Sequence, residues 1–394
     1  MAHWSKAMPE NGLKQPPEML PKKQWPDQQA AKIHWRLCQG GENPGDSSGQ
    51  RTRQAMAANS ASAQPDLSHQ VAFAREAEQL GFDSLLVDFG LNKPDPTLLA
   101  MAIGLQTETI KFIIACRSGI MSPTLFVQQL NTLSHVITNR FSLNVVAGHS
   151  PQEQQAYGDW MDHDQRYART SEYLGICQQL WLKPSNTSAD NSSDNYSHNG
   201  EHYQLNNSKV QTHFCPPNQR PECFIAGSSP QALALAGNFG DIWVSLAQLP
   251  EVMAPQVQAM VASGTKVAIR LSVICRDTKA QAIKAAEQLI ATTANQVEGN
   301  FVQKSDSFGI KRALQHAQSA SSPWLSDCLW TGAVKSHGAP SIALVGDAEQ
   351  IAAAIGEYQA IGVSQFIFSG WPQHDEMRIF GQQVLPLLKQ QRRN

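Results

Sequence analysis

Cys223-Phe224-Ile225-Ala226-Gly227-Ser228-Ser229-Pro230 is a short apolar run that breaks into Gly-Ser-Ser and then enters a helix-forming stretch. Read as strand, turn and helix start, it forms a cradle for an anion. Gly227 lets the backbone approach without a Cβ, the Ser228 and Ser229 hydroxyls can donate to phosphate oxygens, and the N–H groups of a helix opening at Pro230 add partial positive charge. Ser-Ser-Pro is also what plain helix capping requires, so the surroundings must decide between the two readings.

Those surroundings repeat one unit eight times. Apolar, β-branched runs at Ile33 to Leu37, Ser84 to Val87, Phe112 to Ala115, Leu143 to Val146, Cys223 to Ile225, Ile242 to Val244, Val267 to Ile274 and Gln365 to Phe368 read as buried strands. Between them, Ser68 to Leu80 (ending at Gly81), Pro123 to Ile137, Thr278 to Ala291 and Ala348 to Ile361 carry helical spacing. Eight strand–helix repeats predict an α/β fold, a closed (β/α)8 TIM barrel, with functional groups on the loops that follow the strands. The Gly227 cradle follows the fifth strand and so faces that end.

The chain has 394 residues, more than the roughly 250 of a bare barrel, so insertions are expected within one domain spanning 32–394. Residues 1–31 are rich in Pro, Lys and Gln and read as a disordered extension, not a signal peptide. Mobile insertions are expected near 184–199, a polar low-complexity run, and near 297–342, a long segment on the functional face that reads as a lid. The stretch Gln39 to Gln64 lies on the same face.

A net charge of −2 provides no basic field for nucleic acid, and no apolar run is long enough for a membrane span. Seven cysteines without a CxxC pair read as reduced core thiols of a cytoplasmic protein, and twelve scattered histidines show no metal-ligand spacing.

Three further stretches carry a family resemblance. Ala115-Cys-Arg-Ser-Gly-Ile-Met-Ser-Pro-Thr124, Leu143-Asn-Val-Val-Ala-Gly-His-Ser-Pro-Gln-Glu153 and Asp162-His-Asp-Gln-Arg-Tyr167, in this order with Ala226-Gly-Ser-Ser229, resemble the bacterial-luciferase-like flavin-dependent monooxygenases. The likeness is greatest to the alkanesulfonate monooxygenase branch. It implies FMN, bound reduced as FMNH2 after delivery by a separate flavin reductase, and O2 as co-substrate activated through a flavin peroxide. It also implies a homo-oligomer, dimer or tetramer. Carried over by position, the resemblance places Gly227, Ser228, Ser229 and Tyr167 at the flavin phosphate, and Asn144, Ala147 and Gly148 beside the ring.

At the substrate side the chain departs from sulfonate-processing relatives. Leu246, Ser272 and Trp371 stand where those relatives carry Trp, His and Tyr, Lys93 stands for a Cys, and His337 for a lid Arg; Arg270 is retained. A sulfonate needs several fixed donors, so the expected substrate is a small organic molecule other than a simple alkanesulfonate. Lys93, Leu246, Ser272 and Trp371 are its expected pocket. Arg270 and His337 are the expected catalytic residues, the first stabilising negative charge and the second moving a proton. Arg270 sits on a strand facing the barrel mouth, where a carboxylate such as Asp88 or Asp241 is the alternative partner. Two other readings stay open: a deazaflavin-dependent oxidoreductase of the same fold, and a flavin-binding homologue without turnover.

Overall fold

A computed structural model of the chain describes residues 31–39, 64–91, 93–182, 195–217, 219–291 and 305–390. Twelve strands follow in order: β1 (Lys32–Arg36), β2 (Ser84–Val87), β3 (Lys111–Cys116), β4 (Phe141–Val145), β5 (Tyr196–Asn199), β6 (Gln204–Ser208), β7 (Glu222–Ala226), β8 (Ile242–Leu246), β9 (Lys266–Cys275), β10 (Leu329–Trp330), β11 (Ala343–Gly346) and β12 (Gln365–Gly370). Eight of them close a parallel ring in the order β1-β2-β3-β4-β7-β8-β9-β12, and β12 returns to β1 with Ile33 opposite Phe366. This is the (β/α)8 barrel, and its eight strands are those expected from the apolar runs.

Parallel strands covered by helices are buried on both faces, which is why they read as near-continuous apolar runs. The pleat then divides each run between two cores. Leu86, Ile113, Phe224, Ile242, Val244, Ala268 and Ile367 form one cluster that fills the barrel. The alternate residues, among them Trp35, Leu85, Ile114, Leu143, Ile225, Ile269 and Phe366, belong to the larger core that includes the surrounding helices.

Helix entries on the functional face use one device. Asp95, Ser122, Ser150 and Ser229 each cap a helix whose first residue is proline, respectively Pro96, Pro123, Pro151 and Pro230. The side-chain oxygen takes a backbone N–H that the helix leaves unpaired, and proline has no N–H to lose there.

Two insertions differ from the loops expected. Of the polar run at 184–199, residues 184–194 lie outside the described residues, but Tyr196–Asn199 pairs antiparallel with Gln204–Ser208. Glu172 anchors that hairpin, accepting from the backbone N–H groups of His202 (3.0 Å) and Tyr203 (2.9 Å) and bonding His198 Nε2 at 3.0 Å. In the expected lid, 297–304 lies outside the described residues. Residues 305–342 hold a helix, Phe308–Ser319, then β10 and a short turn of helix, Val334–His337. Residues 305–342 therefore contain regular elements where loop was expected, and β11, which follows them, adds a parallel strand beside the C-terminal half of β9. Gly332, Gly338 and Pro340 had masked this regularity in sequence.

Of the expected N-terminal extension, residues 1–30 lie outside the described residues, as do 40–63 of the stretch Gln39 to Gln64. Among the described residues, no helix is long and apolar enough to cross a membrane.

Candidate flavin site

The cradle forms at the end of β7. Gly227 has φ +139°, and a Cβ there would lie 2.6 Å from the Ala232 Cβ and 3.0 Å from the Tyr167 hydroxyl. Only glycine allows the chain to pass. Beyond it, Ser229 Oγ accepts from Ala232 N at 3.2 Å. The capping reading of Ser229 is therefore correct, whatever else the residue does. Ser228 is different: it is half-buried and no hydrogen bond engages its hydroxyl among the described residues. Burial pushes the Tyr167 phenol up, with the neighbouring Ser229 side chain opposing the shift.

The end of β4 forms the adjoining wall. Asn144 follows the barrel-facing alternation, and its Oδ1 is buried with no partner among the described residues. Ala147 O accepts from Gln154 Nε2 (2.9 Å) and Arg166 Nε (3.0 Å), and Gly148 has φ +92° with the Gln154 side chain occupying the space a Cβ would need. The wall is thus fixed by side chains bonded to its backbone. Next to it, burial lowers the His149 imidazole.

The opposite part of the mouth is built from charge. Asp88 follows β2 and is buried. Its Oδ2 accepts from Arg36 Nε at 2.5 Å and from Lys93 Nζ at 2.9 Å, while its Oδ1 lies 3.5 Å from Arg270 NH1. Burial alone would raise this carboxyl, but Lys93, Arg270 and Arg36 outweigh it and hold the group well below the usual carboxylate range. Gln39 exchanges two bonds with the Asp88 backbone, at 3.1 and 2.9 Å, and Gln373 accepts from Arg36 NH1 at 2.9 Å. Asp88 is thus the carboxylate partner of Arg270. Asp241 is not, since it holds Arg220 at 2.6 Å and Cys223 N at 2.9 Å.

The remaining expected pocket residues fall into two groups. Leu246 stands opposite Arg270 in the β8–β9 register. Ser272 shares the barrel-facing side of β9 with Arg270, but its hydroxyl is bonded to Pro340 O (3.0 Å) and Ser369 Oγ (2.9 Å) and its backbone N–H to Ile342 O (2.7 Å). It fastens the 339–342 segment to the barrel. His337 and Trp371 meet edge to face with ring centroids 5.1 Å apart, and Ser336 Oγ bonds His337 Nδ1 at 2.8 Å.

Sequence reasoning missed Arg36, Gln39, Gln373, Arg166 and Asp306. For Arg36 the signal was present: His34 and Arg36 are polar at period two in an otherwise apolar strand, the mark of an inward-facing row.

Fold and site together give a barrel with a glycine-dependent turn at the end of β7 and a charge cluster in its mouth. The sequence profile of the luciferase-like monooxygenase family matches residues 47–365, and the chain belongs to that family, an oxidoreductase family. Among solved structures it is similar to riboflavin lyase RcaE (18% identity, TM-score 0.71, covering 92% of each chain). It is also similar to EDTA monooxygenase EmoA from Chelativorans sp. BNC1 (19%, 0.70, 92% and 94%). An F420-dependent secondary alcohol dehydrogenase shares the fold as well (18%, 0.62, 91% and 99%).

Proposed function

We propose that this protein is the oxygenase of a two-component system, taking FMNH2 from a separate flavin reductase and using O2 to oxygenate a small organic substrate other than a simple alkanesulfonate. The observation that carries this reading is the Gly227–Ser229 turn. A backbone that only glycine can follow, an unbonded Ser228 hydroxyl and the start of the Pro230–Phe239 helix converge on one point. The buried, unpartnered Asn144 Oδ1 supports a ring beside it, because an acceptor left unpaired in a barrel wants a donor, and a flavin ring carries one.

The residues present fit FMN. Ser228, the helix start and the Tyr167 hydroxyl would hold the phosphate; Asn144, Ala147 and Gly148 would line the ring. Reduced FMN, when bound, supplies the electrons that activate O2. The chain's own contribution is position, charge and exclusion of water. Arg270 presents a guanidinium fixed by Asp88 to any negative charge that develops in the mouth. Leu246 and Trp371 give the substrate an apolar wall. His337, with Nδ1 bonded to Ser336, would move a proton at Nε2. The loss of the sulfonate-type donor set at Leu246, Ser272 and Trp371 is what turns the reading away from simple alkanesulfonates, although the cofactor segments resemble that branch. A homo-oligomer in the cytoplasm fits this reading.

The test is an anaerobic titration with FMNH2 beside an aerobic one with FMN, followed by mixing with oxygenated buffer. Tighter binding of the reduced form and slow reoxidation of the bound flavin are expected. Rapid stoichiometric H2O2 release under every substrate tried would favour a flavin binder without turnover, and binding of a deazaflavin in place of FMN would favour hydride transfer.

A further inference from the structure

Arg166 precedes Tyr167 and is 1% exposed. Its three nitrogens reach three different segments: Nε donates to Ala147 O at 3.0 Å, NH1 to Met161 O at 2.7 Å, and NH2 to the Asp306 carboxylate. Asp306 belongs to the lid. Its own N–H donates to His149 O at 2.9 Å, and Ser305 Oγ donates to the same oxygen at 3.0 Å. Three residues further on, Gly309 stands over the cradle, where a Cβ would lie 3.1 Å from Ser228 Oγ and 3.7 Å from Leu246 Cδ1. Phe308 and Tyr167 both contact His163, with ring centroids 6.4 and 4.8 Å away. One buried guanidinium therefore joins the wall of the ring slot to the cover of the phosphate cradle.

We propose that Arg166 and Asp306 are positioning residues that latch the Phe308–Ser319 helix over the Ser228 cradle, so that ligand exchange at the cradle requires this pair to part. Only the identity of the ligand rests on the flavin reading. A guanidinium this buried must keep an anionic partner or regain water, so loss of Asp306 drives the lid outwards. The latch is also built to open. Asp306 Oδ1 is buried with no partner among the described residues, and an incompletely bonded pair parts more easily than a saturated one. Gly309 supplies the close fit, since any side chain there meets Ser228 and Leu246.

The experiment uses the full chain, with Asp306→Ala, Asp306→Glu and Gly309→Leu beside wild type. It reads trypsin cleavage at the exposed Lys311 without flavin, and the rate of FMN release on dilution. Losing a charged hydrogen bond should accelerate both in Asp306→Ala by about tenfold or more, with partial rescue in Asp306→Glu. Gly309→Leu, which wedges the helix away from Ser228 and so strains the pair, should accelerate both readings as Asp306→Ala does. Bound FMN should protect Lys311 in wild type and not in Asp306→Ala. Wild-type rates in a folded Asp306→Ala, or faster cleavage with unchanged FMN release, would overturn the proposal. If wild type binds no FMN, the flavin reading fails and cleavage still tests the latch; if Asp306→Ala does not fold, Asp306→Asn, which keeps the shape and removes the charge, decides by the same two rates.

Discussion

The two sides of the barrel mouth are built by different physics. On the cradle side, specificity comes from the backbone: two glycines at positive φ, a capped helix start, and a wall whose carbonyl is held by Gln154 and Arg166. On the other side it comes from charges carried to one point by distant segments, Arg36 from β1, Asp88 and Lys93 from the end of β2, and Arg270 from β9. The first kind of site tolerates little change in shape and the second little change in charge. On the function proposed above, the flavin phosphate takes the first and the substrate the second.

The sharpest way to break this contrast is to remove the charge at its centre. Asp88→Ala would leave Arg36, Lys93 and Arg270 around an empty position. Unfolding in urea should show a loss of about 3–5 kcal/mol, the cost of stripping a buried pair of one partner. Asp88→Asn, which keeps the shape, should recover part of it. A loss below about 1 kcal/mol for Asp88→Ala would mean that the three cations are held by other groups.

The cradle can be divided more finely. Ser229→Ala removes a helix cap and should lower stability by about 1 kcal/mol, whereas Ser228→Ala should leave stability alone and weaken FMN binding. Equal effects on both quantities would erase the distinction between a structural and a ligand-facing serine.

Sequence reading reached these two sides unequally. The cradle was legible because its parts are contiguous: Gly227, Ser228, Ser229 and Pro230 are neighbours, and their residue types state their backbone roles. The eight strands were legible because burial on both faces leaves a nearly unbroken apolar run. The charge cluster was not, since Arg36 and Asp88 lie 52 residues apart and nothing local pairs them until the barrel closes. Asp88 was visible only as one of two carboxylates available to Arg270. Ser272 marks a further limit: its position on β9 was correct, but its hydroxyl is bonded to Pro340 and Ser369, which no spacing in the sequence announces. Arg166 was hidden beside Tyr167 for the same reason, its partner Asp306 being 140 residues away.

The smallest expected effect lies away from the mouth and provides a control. Glu78 ends the Leu67–Leu80 helix region and accepts from Ile110 N at 2.8 Å and Thr109 Oγ1 at 2.7 Å. Burial alone would raise its carboxyl, but the bonds from Thr109, Ile110 and Glu108 pull it from 4.5 to about 2. A depressed carboxyl stabilises the fold fully above its ordinary value, and this contribution is lost as pH falls from about 4.5 towards 2. Melting curves of Glu78→Gln should therefore show a smaller stability loss than wild type over that window, with FMN binding at neutral pH unchanged. A wild-type acid profile would remove Glu78 from the account.

The most direct test of the division is a single set of FMN titrations on wild type, Gly227→Val and Arg270→Met. If the cofactor is held by backbone shape and the mouth charge serves the substrate, Gly227→Val should lose at least about tenfold in affinity, as 1.4 kcal/mol of displaced contact requires, while Arg270→Met stays within about twofold. The reverse, with Gly227→Val binding as wild type and Arg270→Met losing FMN, would place the phosphate on the charge cluster and contradict the account.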